Sequence, residues 1–456
     1  MSAVKITVVG AGYVGCVSAA GFAEIGHDVI CVDIDAEKIA KLNAGEVPFY
    51  EPGLLDLIGR NVKDGRLRFS TDLKSSVKGR DTVFLAVGTP SKADGSADLS
   101  FLFEAAARVF EAADPEPPLQ GLTVVVKSTV PVGTADRLRG LAKEKAPCHI
   151  TIESNPEFLK EGDAVNDFLR PERVIIGCEG GKDSHLERIY RPLMLRDNRV
   201  IVMDNRSAEL TKYACNAMLA TRVSFMNEMA NLCEKVGANV DLVRQGMGSD
   251  SRIGSKFLYP GPGFSGSCFG KDLRALIQMS DGELKIPTAA LEINEERRRL
   301  MCKKICWALK CGPDETQENL KHPERSMAGK TIAIWGLSFK PRTDDIRDAQ
   351  SVSLLEQLLG FGATVRAYDR AALKNIRQKF PADKYPNLTL VDDEYAALDG
   401  ADALVLMTEW AEFRQPDWAE VAKRMKGRAV FDGRNIWDPA EVGEAGFRYE
   451  GIGRPR

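Results

Sequence analysis

Short apolar runs alternate along the first 200 positions with longer segments in which apolar residues recur every three or four places. Such runs, when they end in glycine or polar residues, are typical of buried parallel strands, and the segments between them are typical of helices. A second series of the same kind fills the last third. The runs lie at 5–9, 29–32, 81–87, 123–127 and 149–153, then at 330–335, 362–369, 403–407 and 429–431. The pattern predicts an α/β protein with two related sheets.

The first apolar run leads into a glycine-rich turn, Gly10-Ala11-Gly12-Tyr13-Val14-Gly15, and the strand after the next helix delivers Asp33. Strand, GxGxxG, helix, strand and acid together are the full context of a dinucleotide-binding Rossmann fold. The pyrophosphate would rest on the positive end of the helix. Because the Asp33 carboxylate would accept from both ribose hydroxyls and repel a 2′-phosphate, NAD is preferred over NADP. An open sheet whose glycines serve only packing is the alternative, and the complete context argues against it.

Polar turns follow three further strands of the first series. They contain Thr89, Thr129 and the pair Glu157 and Glu161. Ligands bind at the carboxyl ends of parallel strands, so these turns are candidate site segments. If a helical turn starts after Pro156, both glutamates face one way. Paired glutamates are usually solvated surface, but their position beyond a strand end favours a catalytic role.

A long uninterrupted helix is predicted from Ser207, as N-cap, to Val236. Near 30 residues, it suits a spine that joins two domains. Its apolar stripe is formed by Leu210, Ala214, Ala217, Met218 and Phe225. Lys212 and Asn216 share one face of this helix among small neighbours, where they would line a site, although a solvated face is the usual explanation.

Residues 263–272 are the centre of the predicted chemistry. Cys268 lies in a loop crowded with glycine, and Lys271 and Asp272 follow it. If a helix begins near Phe269, Asp272 lies one turn on, on the same side as the thiol. A thiol near a helix N-terminus beside an ammonium group is favoured to ionise, and the thiolate is the reactive form. Most free cysteines are small buried apolar residues, but the glycines here favour a nucleophile.

Composition excludes several classes of protein. A chain of 456 residues with net charge −3 is too long for one core and has no overall basic field, so nucleic acid is not the expected partner. Ten cysteines without a CxxC pair, and four scattered histidines, predict reduced thiols of a cytoplasmic protein and no metal site. No apolar run approaches the roughly 20 residues that span a bilayer. The charged run 292–299 is predicted as the solvated face of a helix reaching about Lys310.

The second unit lacks a GxGxxG turn. Cations stand near its first strand end instead, at Lys340, Arg342 and Arg347, where they would bind a phosphate. Arg434, after a later strand, is a further candidate contact for an anion or a base.

These motifs, in this order, resemble the UDP-glucose/GDP-mannose dehydrogenase family over essentially the whole chain. The resemblance rests on residues 10–15, 128–134, 155–162, 212 and 216, 263–272, 336–340 and 431–435. It implies two Rossmann-like doubly wound domains joined by a long central helix and a helical dimerisation segment. The implied divisions are 1–205 (NAD binding), 206–312 (central, with the cysteine loop), 313–328 (linker) and 329–456 (UDP-sugar binding).

The family implies a four-electron oxidation in which two NAD molecules take the sugar C6 alcohol through an aldehyde to a carboxylate. The chemistry of the residues fits, because a dehydrogenase that stops at an aldehyde needs no thiol. Cys268 would form a thiohemiacetal and then a thioester. Lys212 and Asn216 would stabilise the developing oxyanion, Asp272 would help remove the alcohol proton, and Glu157 would activate water.

The resemblance also assigns contact residues. The implied cofactor contacts are the glycine turn with Tyr13 and Val14, Asp33, Lys38, Thr89, Thr129, Glu161, Lys271 and Arg347. The implied substrate contacts are Glu157, Phe158, Leu159, Lys160, Glu161, Lys212, Asn216, Arg252, Phe257, Leu258, Tyr259, Pro260, Gly261, Ser265, Lys340 and Arg434. Arg252 matches an arginine that reaches a neighbouring subunit, so a homodimer is expected. Ser265 and Gly270 depart from the family pattern beside the thiol but remove no reacting group.

Three alternatives stay open at this point. The segments at 259–261, 408–410 and 431–435 look more like the UDP-glucose branch, which makes UDP-glucuronate, than like the GDP-mannose or UDP-N-acetylhexosamine branches. A non-catalytic NAD-binding protein is disfavoured because Cys268, Lys212, Asn216, Glu157 and Asp272 all occur together. An ordinary two-electron hydroxyacid dehydrogenase would not need the thiol.

Overall fold

The computed structural model describes residues 3–115, 121–194, 197–311 and 326–455. The chain divides into two compact units. Unit 1 comprises residues 1–215 and 274–281, and unit 2 comprises residues 216–273 and 282–456. The predicted linker at 313–328 lies, except for its last three residues, outside the described residues.

Each unit contains one sheet. Nine of the fourteen described strands fall where the apolar runs predict them, and the strands at 67–70, 174–177, 200–203, 388–390 and 448–450 were not predicted. The strands are β1 (Lys5–Val9), β2 (Asp28–Val32), β3 (Leu67–Ser70), β4 (Thr82–Leu85), β5 (Leu122–Val126), β6 (Ile150–Ser154), β7 (Val174–Gly177), β8 (Val200–Met203), β9 (Thr331–Trp335), β10 (Thr364–Tyr368), β11 (Leu388–Leu390), β12 (Ala403–Leu406), β13 (Ala429–Asp432) and β14 (Arg448–Glu450).

Both sheets have the strand order of a Rossmann fold. Among the described residues, unit 1 has the order β3-β2-β1-β4-β5-β6-β7-β8, and unit 2 has β11-β10-β9-β12-β13-β14. The neighbouring strands pair in parallel, apart from the antiparallel pair β6–β7. Six strands of each sheet therefore follow the 3-2-1-4-5-6 order that binds nucleotides at the carboxyl ends of its strands.

The helices connect these strands and cover their faces. They are α1 (Tyr13–Glu24), α2 (Ala36–Asn43), α3 (Leu54–Lys63), α4 (Leu73–Val77), α5 (Ser100–Ala112), α6 (Thr134–Lys145), α7 (Ala164–Leu169), α8 (Leu186–Tyr190), α9 (Asn205–Val236), α10 (Val240–Ser249), α11 (Phe269–Met279), α12 (Lys285–Arg297), α13 (Leu300–Ala308), α14 (Gln350–Gly360), α15 (Leu373–Lys379), α16 (Trp418–Arg424) and α17 (Pro439–Glu444). The predicted fold, two Rossmann-like domains joined by a long central helix, is confirmed.

Strands buried on both faces explain the continuous apolar runs. All four residues of β4 are buried, and the Phe84 ring packs 4.7 Å from the ring of Phe22 on α1. A side chain on Gly21 would overlap the Phe168 ring, at 2.1 Å. Glycine therefore lets α7 approach α1 over this face of the sheet.

Two helix predictions need correction. Helix α9 begins at Asn205, so Ser207 lies inside it, and Asp204 accepts hydrogen bonds from the backbone N–H (2.9 Å) and the hydroxyl (2.6 Å) of Ser207. Asp204 is thus the capping side chain, because its carboxylate is a stronger acceptor for these groups. The predicted helix through 292–310 is two helices, α12 and α13, separated at Arg298 and Arg299.

In the part of the chain that the structure describes, we find no helix that is both long and apolar enough to cross a membrane.

Candidate active site

The glycine turn of unit 1 is built for close approach. Gly10 has φ +105°, and a Cβ there would lie 2.5 Å from the Ala86 carbonyl oxygen. A Cβ on Gly15 would lie 1.7 Å from the Gly10 carbonyl oxygen. A Cβ on Gly12, by contrast, would meet no described atom within 4 Å. The turn is thus tightly packed at Gly10 and Gly15 and open at Gly12. The open space lies at the N-terminus of α1, where a pyrophosphate would be bound favourably.

Asp33 follows β2 and faces this turn. Its carboxylate accepts from Ala11 N at 2.7 Å, from Asp35 N at 2.9 Å and from Lys38 Nζ at 3.1 Å. Burial raises the pKa of Asp33, but these backbone hydrogen bonds and Lys38 outweigh it, so its pKa lies below the ordinary value. The carboxylate is therefore ionised in the neutral range, as recognition of a ribose diol requires.

The predicted turn residues of unit 1 come together in part. The Thr89 hydroxyl donates to the Thr129 carbonyl oxygen at 2.9 Å, which joins the ends of β4 and β5. The Tyr13 hydroxyl donates to the buried Glu51, which also accepts from Gly162 N at 2.6 Å. Glu51, which the sequence did not single out, thereby ties the glycine turn to the segment that carries Glu161.

Glu157 and Lys212 form a buried ion pair. The Lys212 Nζ lies 2.9 Å from Glu157 Oε1, and only 8% of Glu157 and 5% of Lys212 is exposed. Glu157 Oε2 accepts from Leu159 N at 2.6 Å. Burial raises the pKa of Glu157. The opposing effect of Lys212, the Leu159 amide and Lys127 is larger, so the pKa lies below its ordinary value. The pair holds a carboxylate ionised inside the protein.

The expected helical turn after Pro156 is wrong. Residues 155–160 have no regular structure, and α7 begins only at Ala164. The two glutamates do not face one way, because Glu157 is buried against Lys212 while Glu161 stays half-buried. Phe158 stacks under Arg173, whose Cζ lies 4.0 Å from the ring centroid, and Lys160 pairs with Asp167 at 3.0 Å.

Cys268 immediately precedes α11 in unit 2. Its carbonyl oxygen accepts from Asp272 N at 2.9 Å, the first bond of that helix. All ten cysteines lie in the described part of the chain, and Cys268 alone among them is exposed. The first-turn amides of a helix favour a negative charge at this point. The predicted nucleophile thus has both access and a favourable electrostatic position.

Asp272 joins Asn216 to the thiol loop. Asn216 Nδ2 donates to Asp272 Oδ2 at 2.6 Å, and Lys271 Nζ donates to Asp272 Oδ1 at 2.7 Å. Asp272 is 2% exposed. Within unit 2, the structure therefore brings the predicted amide and the predicted carboxylate into direct contact one helical turn from Cys268.

The thiol loop is held by side chains that no sequence pattern indicated. Asn294 accepts from Phe264 N at 2.7 Å and donates to Phe264 O at 3.1 Å, while Gln350 Nε2 donates to the same carbonyl at 3.2 Å. A Cβ on Gly266 would lie 3.0 Å from the Phe339 ring. Two amides and an aromatic ring thus fix the backbone that presents Cys268.

The predicted substrate segment 257–261 is fixed in the same way. Gly261 N donates to Asn227 Oδ1 at 2.9 Å, and Gly261 O accepts from Arg297 at 2.8 Å. A Cβ on Gly261 would lie 3.5 Å from Arg434, so these two predicted contacts are neighbours. Arg297 is 3% exposed, and burial lowers its pKa to about 10. The predicted solvated face at 292–299 is wrong here, because this arginine binds the loop carbonyl.

Other predicted residues have local partners. Arg252, whose side chain is 87% exposed, pairs with Asp250 at 2.6 Å, and Arg347 pairs with Asp345 at 2.7 Å. The Lys340 ammonium lies 5.2 Å from the Phe339 ring centroid. The ring of Tyr259 lies 4.6 Å from the Arg244 guanidinium carbon, and the Ser265 hydroxyl is buried. Among the described residues, no group of three or more histidine, cysteine or acidic side chains is arranged to hold a metal ion.

Three models of one family match the chain in succession. The NAD binding domain of the UDP-glucose/GDP-mannose dehydrogenase family matches residues 4–194, its central domain matches residues 206–296, and its UDP binding domain matches residues 333–439.

Similar proteins extend over the full length. A UDP-glucose 6-dehydrogenase of Pseudomonas aeruginosa is 45% identical over 99% of this chain and 98% of that protein. The structure of a UDP-glucose dehydrogenase from Pyrobaculum islandicum has TM-score 0.86 and 34% identity, covering 99% of this chain and 98% of its own. That of a UDP-D-ManNAc dehydrogenase from Pyrococcus horikoshii has TM-score 0.81 and 27% identity, covering 98% and 99%. The chain therefore belongs to the UDP-glucose/GDP-mannose dehydrogenase family.

Proposed function

We propose that this chain is a UDP-glucose 6-dehydrogenase, which oxidises UDP-glucose to UDP-glucuronate with two NAD per turnover. Relatives of that name support the substrate, and the family's NAD and UDP binding domains support both ligands. The observation that carries the proposal is the exposed Cys268 at the start of α11. An oxidation that ends at the acid needs a nucleophile to capture the aldehyde.

The division of labour that we propose follows the family's domains. Residues 1–205 bind NAD, residues 206–312 carry the long helix and the thiol loop, and residues 329–456 bind the uridine nucleotide, with 313–328 as the linker. Gly12 and Asp33 favour this assignment in the first domain, because they leave room and charge for a dinucleotide.

The first oxidation converts the C6 alcohol to an aldehyde. Asp272, linked to Asn216 and Lys271, accepts the alcohol proton through a water. Lys212 and Asn216 donate to the oxygen on which negative charge develops. Bound NAD supplies the hydride acceptor for this oxidation and for the next. Thr129 positions the cofactor and the water.

The second oxidation is covalent. The Cys268 sulfur adds to C6 of the aldehyde, and the carbonyl oxygen takes a proton, which gives a thiohemiacetal. Loss of a hydride from C6 and of the hydroxyl proton leaves a thioester. Glu157 then takes a proton from water as that water adds to C6, and the C–S bond breaks to release the carboxylate and the free thiol. One water is consumed, and two hydrides leave the sugar.

The remaining implied contacts stay proposals. Tyr13, Val14, Lys38, Thr89, Glu161, Lys271 and Arg347 would contact the cofactor. Residues 158–161, Arg252, residues 257–261, Ser265, Lys340 and Arg434 would contact the substrate. Gly261 and Arg434 have the best support, since they are neighbours in unit 2.

The yield of NADH per UDP-glucose consumed tests the proposal. We expect two for the wild type, and a yield of one would contradict the full oxidation. Cys268→Ser should abolish net acid formation. Cys148→Ser is the matched control, since that thiol is only partly buried and has no proposed role, and it should retain acid formation. Undiminished acid output from Cys268→Ser would refute the covalent route.

A panel of sugar nucleotides tests the choice of substrate. UDP-glucose should give the highest kcat/KM, above UDP-N-acetylhexosamines and GDP-mannose. A preference for GDP-mannose would overturn the choice while leaving the covalent mechanism intact.

We also propose a homodimer through α9. Three apolar residues of this helix in unit 2 recur every seven positions and are exposed: Met218 (62%), Phe225 (43%) and Leu232 (49%). Seven-residue spacing of exposed apolar side chains is typical of a helix that pairs with another. The predicted stripe therefore runs partly along the outer face. Phe225→Glu should give a monomer in light scattering, whereas Glu228→Gln, at an exposed position of the same helix, should not.

A cytoplasmic location is part of the proposal. The described residues include all ten cysteines and show no disulfide between them, which fits a reducing compartment. Recovery of the active protein with the cytoplasmic fraction of its host would support it.

A further inference from the structure

A second lysine lies buried behind the Glu157–Lys212 pair. Lys127 directly follows β5 and is 5% exposed. Its Nζ donates to Asn155 Oδ1 at 2.9 Å and lies 3.4 Å from Asn155 O and 3.5 Å from the Tyr190 hydroxyl. Each of these partners is uncharged. A buried ammonium group held only by neutral oxygens is costly, so its retention calls for a functional reason.

The network around Lys127 ends at the segment that carries Glu157. Asn155 is 1% exposed, donates to Ile175 O at 2.8 Å and accepts from the Tyr190 hydroxyl at 2.6 Å. Glu157 follows two residues later. Lys127 therefore fixes the end of β6 from which Glu157 extends.

Lys127, Glu157 and Lys212 also interact electrostatically. Burial lowers the pKa of Lys127 to about 8, with Glu157 acting to raise it and Lys212 to lower it. Conversely, Lys127 is one of the groups that lower the pKa of Glu157. Glu157 thus lies in the field of two cations, of which only Lys212 contacts it directly, at 2.9 Å.

We propose that Lys127 is a positioning residue for the hydrolytic step, which orients the Glu157 segment through Asn155 and keeps the Glu157 carboxylate ionised. The inference rests on the proposed function, in which Lys212 is shared with the oxygen of the substrate. Lys127 is enclosed by Asn155 and Tyr190, so its charge stays in place when Lys212 turns to that oxygen. Glu157 can then remain a base while its direct partner is engaged.

Lys127→Gln separates charge from hydrogen bonding, since the amide can still donate to Asn155. We expect the acidic limb of the pH profile for acid formation to move upward by about one unit, because removing a cation favours protonation of Glu157. The hydride transfers should slow less than hydrolysis, so a covalent adduct on Cys268 should accumulate in intact-protein mass spectra.

Tyr190→Phe is the matched control. It removes the hydroxyl from Asn155 and Lys127, leaves both charges, and keeps the ring contacts with Phe22 and Phe168. Its acidic limb should stay at the wild-type pH. A wild-type limb in folded Lys127→Gln, or an equal displacement in Tyr190→Phe, would overturn the proposal.

If Lys127→Gln does not fold, Asn155→Asp gives the same test by placing a carboxylate against the ammonium. Its acidic limb should also move upward, and an unmoved limb would refute the role of charge.

The wild-type NADH yield separates a failure of the proposed function from a failure of the Lys127 inference. A yield of one sinks the proposed function, and the Lys127 inference is then decided by acid unfolding. Lys127→Gln should lose stability at a higher pH than Tyr190→Phe, and coincident curves would refute it.

Discussion

Asp33 in unit 1 and Asp369 in unit 2 occupy the same place in two copies of one fold. Each directly follows the second strand of a 3-2-1-4-5-6 sheet. Each carboxylate accepts from the residue after the turn glycine, from Ala11 N at 2.7 Å and from Leu337 N at 2.7 Å. The turn glycines themselves have φ +105° and +90°. The strand, the turn and the acid thus have the same local arrangement in both units.

The two carboxylates differ in how much of their hydrogen-bond acceptor capacity remains for a ligand. Asp33 accepts three hydrogen bonds, one of them from the Lys38 ammonium, and its side chain is 11% exposed. Asp369 is fully buried and accepts six. Its donors are Leu337 N, Ser338 N, Ser338 Oγ, Ala371 N, Ala372 N and Trp410 Nε1. Asp33 therefore keeps acceptor capacity for its proposed ribose contact, whereas the Asp369 carboxylate is occupied in holding the backbone and side chains around it.

The helix after the turn differs as well. In unit 1, α1 starts at Tyr13, three residues after Gly10, while in unit 2 α14 starts at Gln350, fourteen residues after Gly336. The helix N-terminus that would hold a pyrophosphate is therefore displaced in unit 2. Dinucleotide binding therefore depends less on the fold than on two local features. These are an open turn and a carboxylate whose acceptor positions are not all filled by protein donors.

Gly15→Ala should have the largest effect. Its Cβ would lie 1.7 Å from a backbone oxygen, so we expect unit 1 to lose about 3 kcal/mol or more of unfolding free energy. Urea unfolding followed by circular dichroism measures the loss. All five tryptophans lie at or beyond position 307, in unit 2, so their fluorescence should report a nearly unchanged transition. A wild-type dichroism transition would contradict the packing argument.

Asp369→Ala should destabilise unit 2. Six donors would lose their acceptor in a buried site, at a cost of about 3 kcal/mol. The tryptophan fluorescence transition in urea should move to lower denaturant. Asp33→Ala is the control and should leave that transition in place. If both variants moved the fluorescence transition equally, the proposed contrast between a structural Asp369 and a ligand-binding Asp33 would fail.

Gly12→Ala and Asp33→Asn should weaken NAD binding with little loss of stability. The added Cβ meets no described protein atom within 4 Å, so any cost arises from the ligand that occupies the space. Removing the Asp33 charge removes charge-assisted bonds to the ribose, so we expect the dissociation constant of NAD to rise by about tenfold or more. Calorimetric titration measures it. Unchanged NAD affinity in Gly12→Ala would show that the ligand does not approach there.

Local motifs carry most of what the sequence predicts. The glycine turn, Asp33 and Cys268 each stand in a short pattern whose geometry is set within a few residues, and the structure places them as the pattern requires. Apolar runs likewise locate nine of the fourteen described strands. A continuous apolar run sufficed for these nine, because parallel strands buried on both faces leave such a signal.

Long-range partners carry what the sequence does not predict. Nothing near Asn294 or Arg297 in the sequence indicates that they hold Phe264 and Gly261, which lie 30 and 36 residues away. Glu157 lacks its predicted helical turn because a buried ion pair with Lys212, 55 residues on, draws it inward. The closure of Asp369 depends on Trp410 and a serine that no periodicity marks. These are tertiary contacts, which a single sequence does not encode locally.

The smallest expected effect concerns the pH dependence of NAD binding. Although burial raises the pKa of Asp33, hydrogen bonds from Asp35 N and Ala11 N, with Lys38, bring it below the ordinary value near 4. The contribution of the ionised acid is then complete at neutral pH and is lost only as pH falls through the lowered pKa.

Lys38→Met should move that pKa upward, so the loss should begin at a higher pH. We expect the ratio of NAD dissociation constants at pH 4.5 and pH 7 to rise by about twofold over wild type, since an ion pair that solvent still reaches shifts a pKa only modestly. Lys41→Met, at an exposed position of the same helix, is the control, and the ratio corrects for any direct contact of Lys38 with the cofactor. Equal ratios in the two variants would mean that the backbone amides of Ala11 and Asp35 alone hold the Asp33 carboxylate ionised.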